Sequence, residues 1–296
     1  MRNELILENK LIELIGLAET DLPTDVETSL RNSLKKEKSE LGKMNLEIIL
    51  ENVRIARENR IPMCQDTGIL NFFIKYGRCK INYDKINKII IDSVKKATKE
   101  IPLRPCVVNP FSRLNTNNNT GIGVPNCDVE IISENYVEIL VFPKGAGSEN
   151  MNNLYMLKPA NGIAGAKKFV LDTVINSGGY PCPPIKIGVG IGGTSDIAMK
   201  LSKKALLRQC GKKHKDEKIA SLEEELEEMM DSTGIGTMGL GGTVTTLGVN
   251  VEYADCHTAS LPVGISIQCW ADRRAAMRLY DNGDVENLSH GGIGDD

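Results

Sequence analysis

Three short segments of this 296-residue chain set a cysteine beside other groups able to do chemistry. The first is Cys64-Gln65-Asp66-Thr67-Gly68, which follows Pro62-Met63 and lies between a helical and a strand-like pattern. That makes it a loop, where functional groups are commonly mounted. A thiol next to an amide and a carboxylate suits a metal ligand with polar company, or a nucleophile. The second segment is Gly178-Gly179-Tyr180-Pro181-Cys182-Pro183-Pro184, whose prolines fix the backbone and remove competing amide donors. The third runs from Cys256-His257-Thr258-Ala259-Ser260-Leu261-Pro262 to Cys269-Trp270-Ala271-Asp272-Arg273-Arg274. Cys256 and His257 could form a metal pair or a thiol–imidazole nucleophile. His257 is one of three histidines, and His214 and His290 lie in a charged stretch and a glycine-rich tail. That singles out His257 as an acid/base candidate, because imidazole titrates near neutrality. Each segment also has a plain reading, as a proline turn with an incidental thiol or as a structural histidine.

The elements that must position these groups are legible as patterns. Leu5–Leu17, Val26–Leu34 and Asn45–Glu58 carry apolar residues at helical spacing, so residues 1–60 read as a helical region. The charge run Lys35–Glu40 reads as a solvated face or a turn. Ile69–Tyr76 reads as a strand, Asp84–Lys99 as a helix, and 128–133 with 136–142 as a strand pair around Glu134-Asn135. Pro159–Asn176 and Ser195–Leu207 read as helices either side of a strand at Ile185–Ile191. Lys212–Asp231 is charged enough to suggest an exposed helical excursion, and Thr243–Glu252 and Val263–Gln268 read as final strands. The expected fold class is mixed α/β (α+β-like), with a mixed or antiparallel sheet surrounded by helices. A single domain over 1–296 is expected, with a core at 61–275 and a polar tail at 276–296.

Composition narrows the function. A hydrophobic share of 41% and a charged share of 25% are those of an ordinary globular protein. A net charge of −3 argues against a nucleic-acid partner, which requires a basic surface. No uncharged apolar run is long enough for a membrane span, and charges from Arg2 to Glu19 break any apolar leader. The expected location is therefore cytoplasmic. There, eight cysteines (64, 79, 106, 127, 182, 210, 256 and 269) without a CxxC pair point to buried thiols or metal ligands, not disulfides.

Taken together, CQDTG at 64–68, GAGSEN at 145–150, GGYPCPP at 178–184, GVGIGGT at 188–194 and HTASLPV…CWADRR at 257–274 resemble the class I iron–sulphur hydro-lyases. That family comprises class I fumarate hydratase and L(+)-tartrate dehydratase, and the resemblance runs from about residue 45 to 275. One departure is Ala146, where the family often has a third glycine. The resemblance implies a [4Fe–4S] cluster held on loops by three thiolates, Cys64, Cys182 and Cys269. Three ligands would leave one iron open as a Lewis acid for the substrate hydroxyl. It further implies Asp66 and His257 as the proton-handling pair and Gln65 facing the open iron. Arg104 would bind a substrate carboxylate through its planar fork. Gly147 would offer a backbone N–H at close approach. Cys79, Cys106, Cys127, Cys210 and Cys256 match no ligand position. The chain ends where single-chain family members continue, so the resemblance also implies a separate beta subunit, an alpha2beta2 enzyme and little activity alone. The substrate is a small dicarboxylate, with hydration of fumarate to (S)-malate favoured by its breadth of occurrence and L(+)-tartrate dehydration as the alternative.

Two other classes compete. Gly188-Val189-Gly190-Ile191-Gly192-Gly193 fits GxGxxG between a strand and a helix, as in dinucleotide-binding oxidoreductases, with Asp216 as a possible ribose acid. Asp216 sits in a Lys/Glu-rich stretch, however, and no βαβ repeat surrounds the motif. A non-catalytic scaffold holding zinc on Cys/His is the second rival.

Overall fold

A computed structural model describes residues 2–79 and 81–290. Three helices open the chain: α1 (Arg2–Thr20), α2 (Thr24–Lys36) and α3 (Glu40–Asn59). Strand β1 (Ile69–Tyr76), helix α4 (Tyr83–Glu100) and strands β2 (Asn126–Ile131) and β3 (Tyr136–Lys144) follow. Next come α5 (Ala146–Glu149), β4 (Asn153–Leu157), α6 (Gly162–Ser177), β5 (Ile185–Gly192), α7 (Ser195–Leu206) and α8 (Glu217–Asp231). Strands β6 (Thr246–Ala254), β7 (Leu261–Gln268), β8 (Ala275–Tyr280) and β9 (Val285–Asn287) complete the order. The mixed α/β class is as expected. The residues gather in two compact units, one from 1–24, 51–145 and 273–296, the other from 25–50 and 146–272.

The first unit holds a five-stranded sheet in the order β2-β1-β3-β8-β9. Leu7, Leu11, Leu14, Ile15 and Ala18 recur every three or four residues along α1, which places them on one stripe. That stripe shares a core with Ile86, Ile90 and Val94 of α4 and with Phe72, Ile74, Ile139 and Val141 of the sheet. Each such aliphatic side chain contributes about 2 kcal/mol on leaving water. The strands at 126–131 and 136–144 are not a hairpin: β1 lies between them, parallel to β2 and antiparallel to β3. Two adjacent strands with a short turn suggested direct pairing, but β1 satisfies both edges. The expected polar tail holds β8 and β9, and β8 pairs with β3 from Tyr136↔Tyr280 to Val141↔Ala275. Residues 291–296 of that tail lie outside the described residues.

The second unit holds a four-stranded sheet in the order β4-β7-β5-β6, with β5 parallel to β6 and antiparallel to β7. Every residue of β5 is buried. A Cβ on Gly188 or Gly190 would stand 2.0 Å from the carbonyl oxygens of Ser202 and Ala198 on α7. The glycine spacing therefore measures how closely a helix backbone lies on a strand, and the dinucleotide reading loses its main support. Helix α8 is no excursion: Leu222, Leu226 and Met230, four residues apart, form an apolar stripe buried in the second core. Its Glu223 is buried as well and accepts from the N–H groups of Val251 and His214.

The charge run 35–40 forms the expected turn, between α2 and α3, with Lys35, Lys36, Lys38 and Glu40 exposed, but Glu37 within it is only 3% exposed. Its carboxylate accepts from the N–H groups of Lys38, Ser39, Thr243 and Val244 and from the Thr243 hydroxyl. Burial alone would raise this carboxyl, but the amide donors outweigh it and hold it below its ordinary value.

Candidate functional site

In the first unit the Cys64–Gly68 loop joins α3 to β1 and is fixed at several points. The Asn52 side-chain amide donates to Met63 O at 2.8 Å, and Met63 N–H donates to Glu19 O at 3.1 Å. Gly68 adopts φ +73°, and a Cβ there would stand 2.5 Å from Lys144 O, so only glycine fits. Asp66 Oδ1 accepts from Gly68 N–H at 3.0 Å, an Asx-type closure of the turn. Asp66 and Cys64 are half-buried, while Gln65 is exposed.

Arg104 is brought to the same loop through its backbone. Its N–H donates to Thr67 Oγ1 at 3.1 Å, and its carbonyl accepts from Asn119 Nδ2 at 3.2 Å. The side chain is left exposed. Cys106, which matched no ligand position, has its sulphur 4.0 Å from Asp66 Oδ1. Burial, with Asp66 alongside, raises this thiol above its ordinary value.

Two residues with no assigned role complete this neighbourhood. Arg273 and Glu19 are 1% and 0% exposed, and Arg273 Nη1 donates to Glu19 Oε2 at 2.6 Å. Arg273 Nη2 donates to Asp66 O at 2.8 Å. Burial pushes the Glu19 carboxyl up to about 7, against the opposing pull of Arg273. The doubled arginine of CWADRR was the available signal for Arg273, whereas Glu19 looked like one more charge on an amphipathic helix.

The second unit brings three motifs together. A Cβ on Gly147 would lie 3.2 Å from Tyr180 O, and Ser148 Oγ donates to Gln268 Oε1 at 3.2 Å. Trp270 N–H donates to Cys182 O at 3.1 Å, which sets the Cys182 and Cys269 loops side by side. Cys182 holds φ +55°, a conformation that costs a non-glycine residue of order 1 kcal/mol and clusters at functional sites. Both cysteines are half-buried, and Gly147 is exposed.

His257 is not brought to these cysteines within the unit. It follows β6 at the Gly192↔Ala254 end of the sheet, while Cys182 precedes β5 and Cys269 follows β7 at the Lys186↔Gln268 end. Eight strand residues separate those ends, about 23 Å at the usual rise. The imidazole is exposed, and its Nδ1 accepts from Ala259 N–H at 3.1 Å. Cys256 is exposed too, its sulphur 3.3 Å from Ser260 O.

The donor chemistry suits a thiolate-held metal centre in part. None of the eight cysteines is in a disulfide, and Cys182 and Cys269 occupy neighbouring, half-open loops. Among the described residues no three His, Cys, Asp or Glu side chains converge on a metal position. By contrast, burial raises Cys79 and pushes Cys127 up to about 11, which keeps both as thiols in the core. Among the described residues no helix is long and apolar enough to cross a membrane.

Comparison with known proteins agrees with the motif pattern. A Methanocaldococcus jannaschii protein, provisionally named L(+)-tartrate dehydratase subunit alpha, is 53% identical over 278 residues, covering 92% of this chain and 97% of the relative. The L(+)-tartrate dehydratase alpha subunits of Escherichia coli (strain K12) and Shigella boydii serotype 4 are each 36% identical over 287 residues, covering 95% of both chains. A model of the fumarate hydratase (Fumerase) family matches residues 8–278, and the chain belongs to that family.

Proposed function

We propose that this chain is the alpha subunit of a hydro-lyase that removes water from L(+)-tartrate. The observation that carries this reading is the 53% identity, over nearly the whole of both chains, to the M. jannaschii relative of that provisional name. Fumarate hydration, favoured at first on breadth of occurrence, becomes the second reading, kept by the description of the matching family. Because the relatives carry the name of an alpha subunit, a beta subunit is proposed as partner, in an alpha2beta2 enzyme.

Dehydration takes a hydroxyl from one carbon and a proton from its neighbour, leaving an enol that relaxes to the keto acid. Cys64, Cys182 and Cys269 would hold a [4Fe–4S] cluster, which when bound supplies a Lewis acid for the departing hydroxyl. Arg104 would bind one carboxylate, since its backbone is pinned by Thr67 and Asn119 while its guanidinium stays open. Gln65 would orient the hydroxyl, and Gly147 would donate its N–H to substrate. Asp66 would take up the proton, with His257 as the second proton carrier. Given its place at the far end of the second sheet, His257 would enter the reaction from a neighbouring chain of the assembly.

The test is anaerobic co-expression with the beta subunit, followed by iron and sulphide analysis and kcat/KM for both substrates. About four irons and four sulphides per alpha chain, with tartrate preferred at least tenfold, is the expected result. A preference for fumarate would install the second reading, and turnover of neither would remove both.

A further inference from the structure

One contact that fixes the Cys64–Gly68 loop comes from a buried side chain with no assigned role. Arg273 spreads its guanidinium between Glu19 Oε2 at 2.6 Å and the main-chain oxygen of Asp66 at 2.8 Å. Glu19 also receives Met63 N–H on its own carbonyl, so the last turn of α1 grips the loop twice. The main chain holds it at Met63 and the guanidinium holds it at Asp66. From the other side, a Cβ on Gly145 would stand 3.0 Å from Asp66 Oδ2 and 3.8 Å from Arg273 Nη2. Asp66 is thus bounded by the bare backbone of Gly145 at its carboxylate and by the buried cation at its carbonyl.

A fully buried ion pair is a weak source of stability. Desolvation offsets the attraction, and apolar residues of similar volume commonly serve the fold as well. What apolar residues cannot supply is a second, directed donor to a carbonyl, which a planar fork with rigidly spaced N–H groups does supply. The arrangement therefore has a geometric use beyond cohesion. We infer that Arg273, itself held by Glu19, is the positioning residue for Asp66, fixing the direction in which that carboxylate meets substrate. This rests on the reading above that Asp66 handles the proton. Orientation of a reacting group to within an ångström is worth orders of magnitude in rate, so the effect falls on kcat more than on KM.

The experiment compares wild type, Asp66→Asn, Arg273→Lys and the double variant Glu19→Met/Arg273→Met, each purified with the beta subunit. Arg273→Lys keeps a charge opposite Glu19 but gives up the second prong, so it carries the test even if the double variant does not fold. Expected for both Arg273 variants are a melting temperature within about 4 °C of wild type and KM within about threefold. With these go kcat lower by 10- to 100-fold and amide exchange across Met63–Gly68 about tenfold faster, read on the chain without regard to turnover. Wild-type kcat and exchange in Arg273→Lys, with Asp66→Asn inactive, would overturn the positioning role and leave the proposed function standing. Wild-type kcat in Asp66→Asn would instead overturn the reading of Asp66 on which the inference rests.

Discussion

Glu19 in the first unit and Glu37 in the second are both removed from water, yet their carboxyls move in opposite directions. Glu19 faces one guanidinium, has Oε1 buried without a hydrogen-bond partner, and rises to about 7. Glu37 receives four N–H groups and a hydroxyl, and falls below its ordinary value. A single cation that is itself desolvated does not make up for lost water, whereas several fixed amide dipoles do. Burial raises both carboxyls, and it does so more for the deeply enclosed Glu19. The rest of the difference lies in the supply of donors, which the backbone around Glu37 provides in a turn and the last turn of α1 does not provide around Glu19.

The contrast can be broken most directly at Glu37. Replacing it with alanine leaves five donors without their acceptor, and a loss of about 4 kcal/mol in urea-unfolding free energy is expected. A loss under about 1 kcal/mol would show that water reaches those donors. Arg273→Met should cost about 3 kcal/mol, and adding Glu19→Met should restore most of it, since the uncompensated charge then disappears. Strict additivity of the two losses would contradict that account.

The pH profiles sharpen the contrast and have opposite signs. Glu19 rises from 4.5 to about 7 on folding, so its contribution is full below 4.5 and fades as pH rises to 7. Against Glu19→Gln, wild-type stability should fall by about 3 kcal/mol across that window. Glu37 is depressed, so its contribution is present above 4.5 and is lost as pH falls through the lower folded value. Unfolding curves of wild type and Glu37→Gln between pH 3 and 6 should therefore converge at the acid end. The smallest expected signal comes from the proposed sharing of His257 between chains. Mixing His257→Asn with Cys269→Ser chains in equal amounts should restore about a quarter of wild-type turnover, because half the dimers are mixed and each has one intact site. No recovery would place His257 and the cysteines of one chain in the same reaction.

Much of this was legible in the sequence wherever a local pattern settled the matter. Helices α1 to α4 and strand β1 follow from apolar spacing, and the motif segments stood out by residue type. Pairing was harder, since nothing in residues 126–144 says that β1, some fifty residues earlier, inserts between the two strands. Composition misled twice, because charged residues at 37 and along α8 hid a buried carboxylate and a three-residue apolar stripe. The convergence of Gly147, Tyr180, Cys182 and Trp270 is a matter of loop contacts distant in sequence, and so is the grip of Arg273 on Asp66. The placing of His257 an entire strand away from Cys182 required the sheet register.

The buried Glu19–Arg273 pair carries a further consequence for temperature. The hydration of charged groups has a strongly negative entropy, so the cost of keeping that pair dry shrinks on warming. Apolar cohesion of the surrounding core plateaus over the same range. The grip on Asp66 should accordingly loosen least when the rest of the first unit is being softened by heat, and the geometry of that carboxylate becomes one of the last local features to be lost on the way to unfolding.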